Sequence, residues 1–140
     1  LNITPRVAML SYSNFGSSNL TEAKIVREAA DLLHQLHPEL IVDGEVQASV
    51  AFNNELLKEN YPFSSLINNN PNILIFPNLS AGNIAYHLMM ELGNSEAIGP
   101  ILLGLNKSVH VLQLGSSVRQ IVNMVAIAAV DAHVKRKKNK

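Results

Sequence analysis

Three short apolar runs, each followed by a polar loop and then by residues at helical spacing, restrict this chain more than any other feature. Val7-Ala8-Met9-Leu10, Leu40-Ile41-Val42 and Ile73-Leu74-Ile75-Phe76 do not alternate with polar residues. A strand with one wet face alternates, whereas a strand covered on both faces reads as a continuous apolar run. After the first run, Ala23, Val26, Ala29, Ala30, Leu33 and Leu36 recur at helical spacing. Asn19 is placed as N-cap, Glu22 three residues on completes a capping box, and Pro38 marks the stop. A helix is expected over Ala48 to Glu59. Another is expected from about Ser80 to Leu92, with Ile84, Leu88 and Met89 on one side. The expected architecture is α/β: a mostly parallel sheet, helices on both faces, and right-handed crossovers.

Beyond Leu92, glycine punctuates the chain at Gly93, Gly99 and Gly104. Further strands are expected at Ile98 to Leu103 and Val109 to Leu112. Ser116 or Ser117 then caps a last helix. Its stretch Met124 to Val130 is apolar all round, so that helix calls for neighbours on more than one side. At this length the run is far too short to span a membrane. The basic tail, Lys135-Arg136-Lys137-Lys138-Asn139-Lys140, is expected to be a solvated, disordered end.

Eleven basic residues balance eleven acidic ones. No global field therefore draws the chain to nucleic acid or to a membrane. Cysteine is absent, which excludes disulfides and thiolate catalysis and fits a reducing, cytoplasmic compartment. His34, His37, His87, His110 and His133 show no metal-ligand spacing, and no metal site is expected. Leu1 stands where a methionine would begin a gene product, and a strand follows Pro5 and Arg6 almost at once. Both suggest a piece of a longer protein, with no signal peptide in view.

In open α/β sheets ligands bind beyond the carboxyl ends of the strands. Three polar segments fall there: Ser11 to Ser18, Asp43 to Gln47 and Asn78 to Asn83. In the first, the hydroxyls of Ser11, Ser13, Ser17 and Ser18 and the free N–H groups of a helix start suit a phosphate or carboxylate, and Gly16 admits a close approach. The same loop also suits a plain solvated connection, and it lacks the ending of a Walker motif. Asp43-Gly44 is a turn by composition, though Asp43 could orient a neighbouring loop or accept a bond from a ligand. Gly82 falls in a first helical turn, where it is poor for stability, so a close approach by a ligand or a neighbouring backbone is one account of it. Asn83 and Tyr86 follow on the same helix.

Read together, "VAMLSYSNFGSS", "VREAADLLHQLHPELIVDGEVQASVA", "NILIFPNLSAGNIAYHLM" and "IGPILLGLNKSVHVLQLGSSVRQIVNMVAIAAVDA" resemble consecutive blocks of the phosphate acetyltransferases, from about Arg6 to Ala132. Active members convert acetyl-CoA and phosphate into acetyl phosphate and CoA in a cleft between two α/β domains. The resemblance implies that residues 1–104 are a second domain and that 105–134 are a strand and helix returning to a first domain, with 135–140 as the tail.

One block departs from the active pattern. Where the family reads N-D-L-S-R-G, this chain reads His110-Val111-Leu112-Gln113-Leu114-Gly115. The family's serine and arginine align with Gln113 and Leu114, and a later acidic residue with Gln120. The flanking pattern instead resembles the phosphotransacetylase-like C-terminal domain of bacterial NADP-dependent malic enzymes, which oxidatively decarboxylate malate to pyruvate. That resemblance implies a regulatory, homo-oligomerising domain that holds a small-molecule effector, acetyl-CoA or acetyl phosphate, without turnover. Its ligand residues would be Ser11, Ser13, Gly16, Ser17, Ser18, Asp43, Asn78, Gly82, Asn83 and Tyr86, with no catalytic residue. NADP and a divalent metal would serve the malic-enzyme region, which these residues do not include. The rival expectation is an active phosphate acetyltransferase.

Overall fold

A computed structural model describes residues 3–93 and 95–138. The chain divides into two compact units, Leu1–His87 and Leu88–Lys140. The first holds a three-stranded parallel sheet in the order β2-β1-β3, with β1 at Arg6–Leu10, β2 at Ile41–Val46 and β3 at Ile73–Ile75. Helix α1 (Thr21–Leu36) connects β1 to β2. Two short helices, α2 (Ala48–Ala51) and α3 (Asn54–Asn60), lie on the path from β2 to β3, which crosses β1.

The apolar runs of β1 and β2 are continuous because both faces of the sheet are covered there, whereas Ile73 and Ile75 of β3 stay exposed. Val7 and Met9 of β1 pack with Val42, Val26 and Ala30 on the α1 side. Ala8 and Leu10 point the other way and pack with Val46, Val50, Ala51, Leu57 and Leu66. This period-2 division within one apolar strand is what the α/β expectation required.

Four local expectations are corrected. Helix α1 starts one residue later than Asn19 would set it. Leu20 takes the N-cap position, and no side chain caps the helix. The helix expected over Ala48 to Glu59 is broken at Phe52 and Asn53, because the Asn53 side chain accepts from Leu56 N–H and starts a new helix. The supposed turn at Asp43-Gly44 lies inside β2. There the ladder skips Glu45, since Met9 pairs Gly44 and Leu10 pairs Val46. In the second unit, Ile98 to Leu103 and Val109 to Leu112 form no strand. Ile98, Ile101, Leu103 and Val111 stay exposed, and among the described residues of that unit no ladder partner is present.

Helix α4 (Leu79–Leu92) follows β3, and α5 (Val118–Lys138) ends the described chain. Asn78 caps α4 through its side-chain oxygen, which accepts from Ala81 N–H at 2.9 Å. Ser117 and Gln120 cap α5 reciprocally: Ser117 N–H donates to Gln120 Oε1 at 2.8 Å, and Gln120 N–H donates to Ser117 Oγ at 3.2 Å. The basic run expected as coil is helical as far as Lys138, and Lys135 pairs with Asp131 one turn back at 2.7 Å. Asn139 and Lys140 of that tail lie outside the described residues. Neither these helices nor any other described one is long and apolar enough to cross a membrane.

Candidate functional site

Beyond the carboxyl ends of the three strands of the first unit lies one cavity of about 420 Å³. Leu10, Ser11 and Tyr12 enter it from β1, Ala48 from the segment after β2, and Phe76, Pro77 and Asn78 from the end of β3. Ala81 on α4 and Glu22 on α1 complete the wall. The lining is mainly apolar, with two hydroxyl-bearing residues, one amide and one acidic residue. Its volume falls in the range of small-molecule sites, roughly 300–1,000 Å³. Glu22 was expected in a capping box. No side chain caps α1, and Glu22 lies exposed at the wall of this cavity.

The ten residues expected from the sequence divide between different tasks. Ser11 and Asn78 line the cavity. Ser13 does not: it is buried at 2% exposure, and its Oγ donates to Glu45 Oε1 at 2.8 Å. The same oxygen accepts from Ser18 N–H at 3.0 Å and is bonded to Ser17 Oγ at 2.9 Å. A hydroxyl offers one proton and two lone pairs, so Ser13 has nothing left for a ligand. Ser17 Oγ also accepts from Asn14 N–H at 2.9 Å. Ser18 Oγ lies 3.4 Å from the Tyr12 hydroxyl and accepts from Leu20 N–H.

Gly16 has φ +92°, a conformation that favours glycine, and its N–H donates to Glu45 Oε1 at 2.8 Å. A Cβ at that position would lie 3.0 Å from the Arg27 guanidinium. Asp43 is buried and orients a neighbouring loop. Its two carboxylate oxygens accept from Gly44 N–H at 3.0 Å and Ser65 N–H at 2.9 Å. Gly82 is approached by Phe76, whose Cβ would stand 3.5 Å from an added methyl, so space alone does not demand glycine there. Asn83 and Tyr86 are exposed on α4, and Tyr86 meets the His87 ring edge-on.

Glu45 is the residue that sequence reasoning passed over. It is fully buried, and its Oε1 takes Ser13 Oγ–H, Gly16 N–H and, at 3.4 Å, Arg27 Nη1. Its Oε2 is buried and has no partner among the described residues. The available signal was an acidic residue directly after a glycine at a strand end, together with an arginine on the preceding helix. The histidines do other work. His34 Nε2 donates to the Val42 carbonyl at 2.7 Å, and His37 pairs with Glu39 on the surface, where that bond holds the Glu39 carboxyl below its ordinary range after the larger effect of its backbone bond. No group of three or more His, Asp or Glu that could hold a metal ion occurs among the described residues.

In the second unit, Gln113 and Leu114 lie in an irregular segment before α5. The Gln113 carbonyl accepts from Ser116 Oγ–H at 2.8 Å, and the Leu114 side chain is fully exposed. The Gln120 amide is committed to the cap of α5.

Residues 1–129 match the sequence pattern of the phosphate acetyl/butaryl transferases. An NADP-dependent malic enzyme of Haemophilus influenzae is 45% identical over 130 residues, 93% of this chain and 17% of that protein. A phosphate acetyltransferase of Bacillus subtilis is 41% identical over 131 residues, 94% of this chain and 40% of that protein. Among solved structures, a phosphotransacetylase from Streptococcus pyogenes superposes with a TM-score of 0.84 at 42% identity, covering 93% of this chain and 39% of the other. The chain thus spans well under half the length of each of these relatives.

Proposed function

This chain belongs to the phosphate acetyl/butaryl transferase family, and from that premise we propose that it is the phosphotransacetylase-like regulatory and oligomerising domain of an NADP-dependent malic enzyme. Its cavity holds acetyl-CoA or acetyl phosphate as an effector and does not turn it over. The observation that carries this reading is the exposed, uncharged Leu114 where the resemblance places an arginine. A guanidinium there would stabilise charge developing on phosphate, and loss of one such donor costs roughly 10²–10³ in rate. Gln113 and Gln120 support the same conclusion. One stands where the family has serine, and the other spends its amide on a helix cap.

The cavity supports binding. Its apolar wall suits an acyl or thioether-bearing arm, while Ser11 and Asn78 offer polar contacts. Homo-oligomerisation is supported by uncovered apolar side chains on α4, such as Ile84, Leu88 and Leu92, and on α5, such as Val118, Val122 and Val125. In this reading the protein is cytoplasmic, and NADP and a divalent metal serve the malic-enzyme region of the parent.

The test is the rate of malate-dependent NADP reduction by the full-length protein, with and without acetyl-CoA or acetyl phosphate. A shifted rate is expected. An unchanged rate with both compounds removes the regulatory role, and formation of acetyl phosphate from acetyl-CoA and phosphate would assign an active phosphate acetyltransferase instead.

A further inference from the structure

The loop that most suggested an anion site from its sequence is turned inward, onto a carboxylate. Glu45 Oε1 collects Ser13 Oγ–H, Gly16 N–H and Arg27, and Ser13 in turn holds Ser17 Oγ and Ser18 N–H. The backbone is stitched to the same strand position, since Phe15 N–H donates to the Glu45 carbonyl at 2.8 Å. Gln47 N–H, two residues on, donates to Asn14 Oδ1 at 2.8 Å, and Gln47 Nε2 donates to the Tyr12 carbonyl. Ser11 and Tyr12, at the start of the same loop, are the residues that reach the cavity.

We propose that Glu45 is a positioning residue: its buried carboxylate, set into the bulge of β2, fixes the shape of the Ser11–Ser18 loop and thereby places Ser11 and Tyr12 in the cavity wall. The ligand class, an acyl-CoA or acyl phosphate, rests on the reading given under the proposed function. The loop's dependence on Glu45 does not. An acidic side chain is required because one oxygen must accept three donors, one of them cationic. A glutamine would present its amide N–H₂ to donors or leave Arg27 without a counter-charge. The arrangement also separates the loop's serines into two roles. Ser13 acts on the loop through Glu45, and Ser11, which holds only the local Ser13 N–H at 3.3 Å, reaches the cavity.

The experiment compares wild type with Glu45→Gln, Ser13→Ala and Ser11→Ala in the full-length protein. Hydrogen exchange of the peptide spanning residues 11–18 and calorimetric affinity for acetyl-CoA are the two readouts. Glu45→Gln and Ser13→Ala are expected to speed exchange at Gly16 or Ser18 by on the order of tenfold, the loss of about one hydrogen bond, and to weaken acetyl-CoA binding. Ser11→Ala is expected to weaken binding with exchange at Gly16 and Ser18 unchanged, only Ser13 N–H, which Ser11 Oγ accepts at 3.3 Å, being freed. Unaltered exchange in both Glu45→Gln and Ser13→Ala overturns the inference, as does faster exchange with unaltered affinity. Should Glu45→Gln fail to fold, Ser13→Ala decides on the same two readouts. Should the wild type bind no acetyl-CoA, the proposed effector is wrong, and the exchange arm still decides whether Glu45 sets the loop.

Discussion

Ser13 Oγ stands 2.8 Å from Oε1 of Glu45, and this buried bond joins the loop after β1 to the bulge in β2. Parallel neighbours usually exchange only ladder bonds. Here a side-chain pair adds a second fastening, beyond the point where the ladder skips a residue. The cavity wall formed by Ser11 and Tyr12 follows directly from it.

Two glycines should respond to alanine in opposite directions. At Gly44, φ is +149°, and a Cβ would meet the Met9 carbonyl at 2.5 Å. Gly44→Ala is expected to cost about 3 kcal/mol in urea unfolding, from backbone strain and overpacking together. At Gly82 the nearest atom would be 3.5 Å away on Phe76. Gly82→Ala is expected to stabilise by about 0.5–1 kcal/mol through helix propensity. If it stabilises the protein and also weakens acetyl-CoA binding, the glycine serves the ligand and not the fold.

Asp43 holds the loop before β3 by accepting Ser65 N–H while also accepting Gly44 N–H. Asp43→Ala removes the acceptor of one buried donor, Gly44 N–H, and one part-buried donor, Ser65 N–H, and is expected to cost about 2 kcal/mol. Equilibrium denaturation measures this. A change below about 0.5 kcal/mol, the usual range for a surface substitution, would show that the carboxylate is not a fastening.

The cap of α5 is open to direct test. Ser117→Ala removes the hydroxyl that accepts Gln120 N–H and is expected to lower stability by about 1 kcal/mol, with a loss of helical circular dichroism. An unchanged spectrum and midpoint would show that the reciprocal bonds do not hold the helix start.

Farther along α5, the Lys135 ammonium bonded to Asp131 holds that carboxyl below the ordinary range, against a smaller opposing effect of burial; His110 adds a weaker attraction. A carboxyl with a depressed folded pKa contributes its stability fully above its unfolded value and loses it as pH falls through the folded one. Asp131→Asn should therefore be less stable than wild type near neutral pH, and the two denaturation midpoints should converge as pH falls below about 4. Both groups are partly exposed, so added salt should narrow the difference as well. A gap that persists at low pH would show that the pairing is not its source.

The central strand was legible because it is buried on both faces, which leaves the unbroken apolar run Val7 to Leu10; Ile73 to Phe76 also reads as a strand, although Ile73 and Ile75 stay exposed in β3 and only Leu74 and Phe76 pack against the core. The same cue misled beyond Ile98. Exposed Ile101 and Leu103 look like strand residues, but a strand forms only where a neighbour takes its N–H and C=O groups. Asn53 breaks a helix that periodicity alone would continue, because a side-chain cap outweighs the spacing of apolar residues. At the site, composition pointed to the carboxyl edge of the sheet, and Ser11 and Asn78 line a cavity there. It could not tell Ser11 from Ser13. That distinction depends on which hydroxyl meets Glu45, a contact across 32 positions in the chain.

Calorimetric titration of the full-length protein with acetyl-CoA, with inorganic phosphate present, tests binding without turnover in one trace. The account predicts discrete heats that saturate and return to baseline after each injection. A trace with no heat above dilution, or power that stays displaced while acetyl-CoA is consumed, would contradict it.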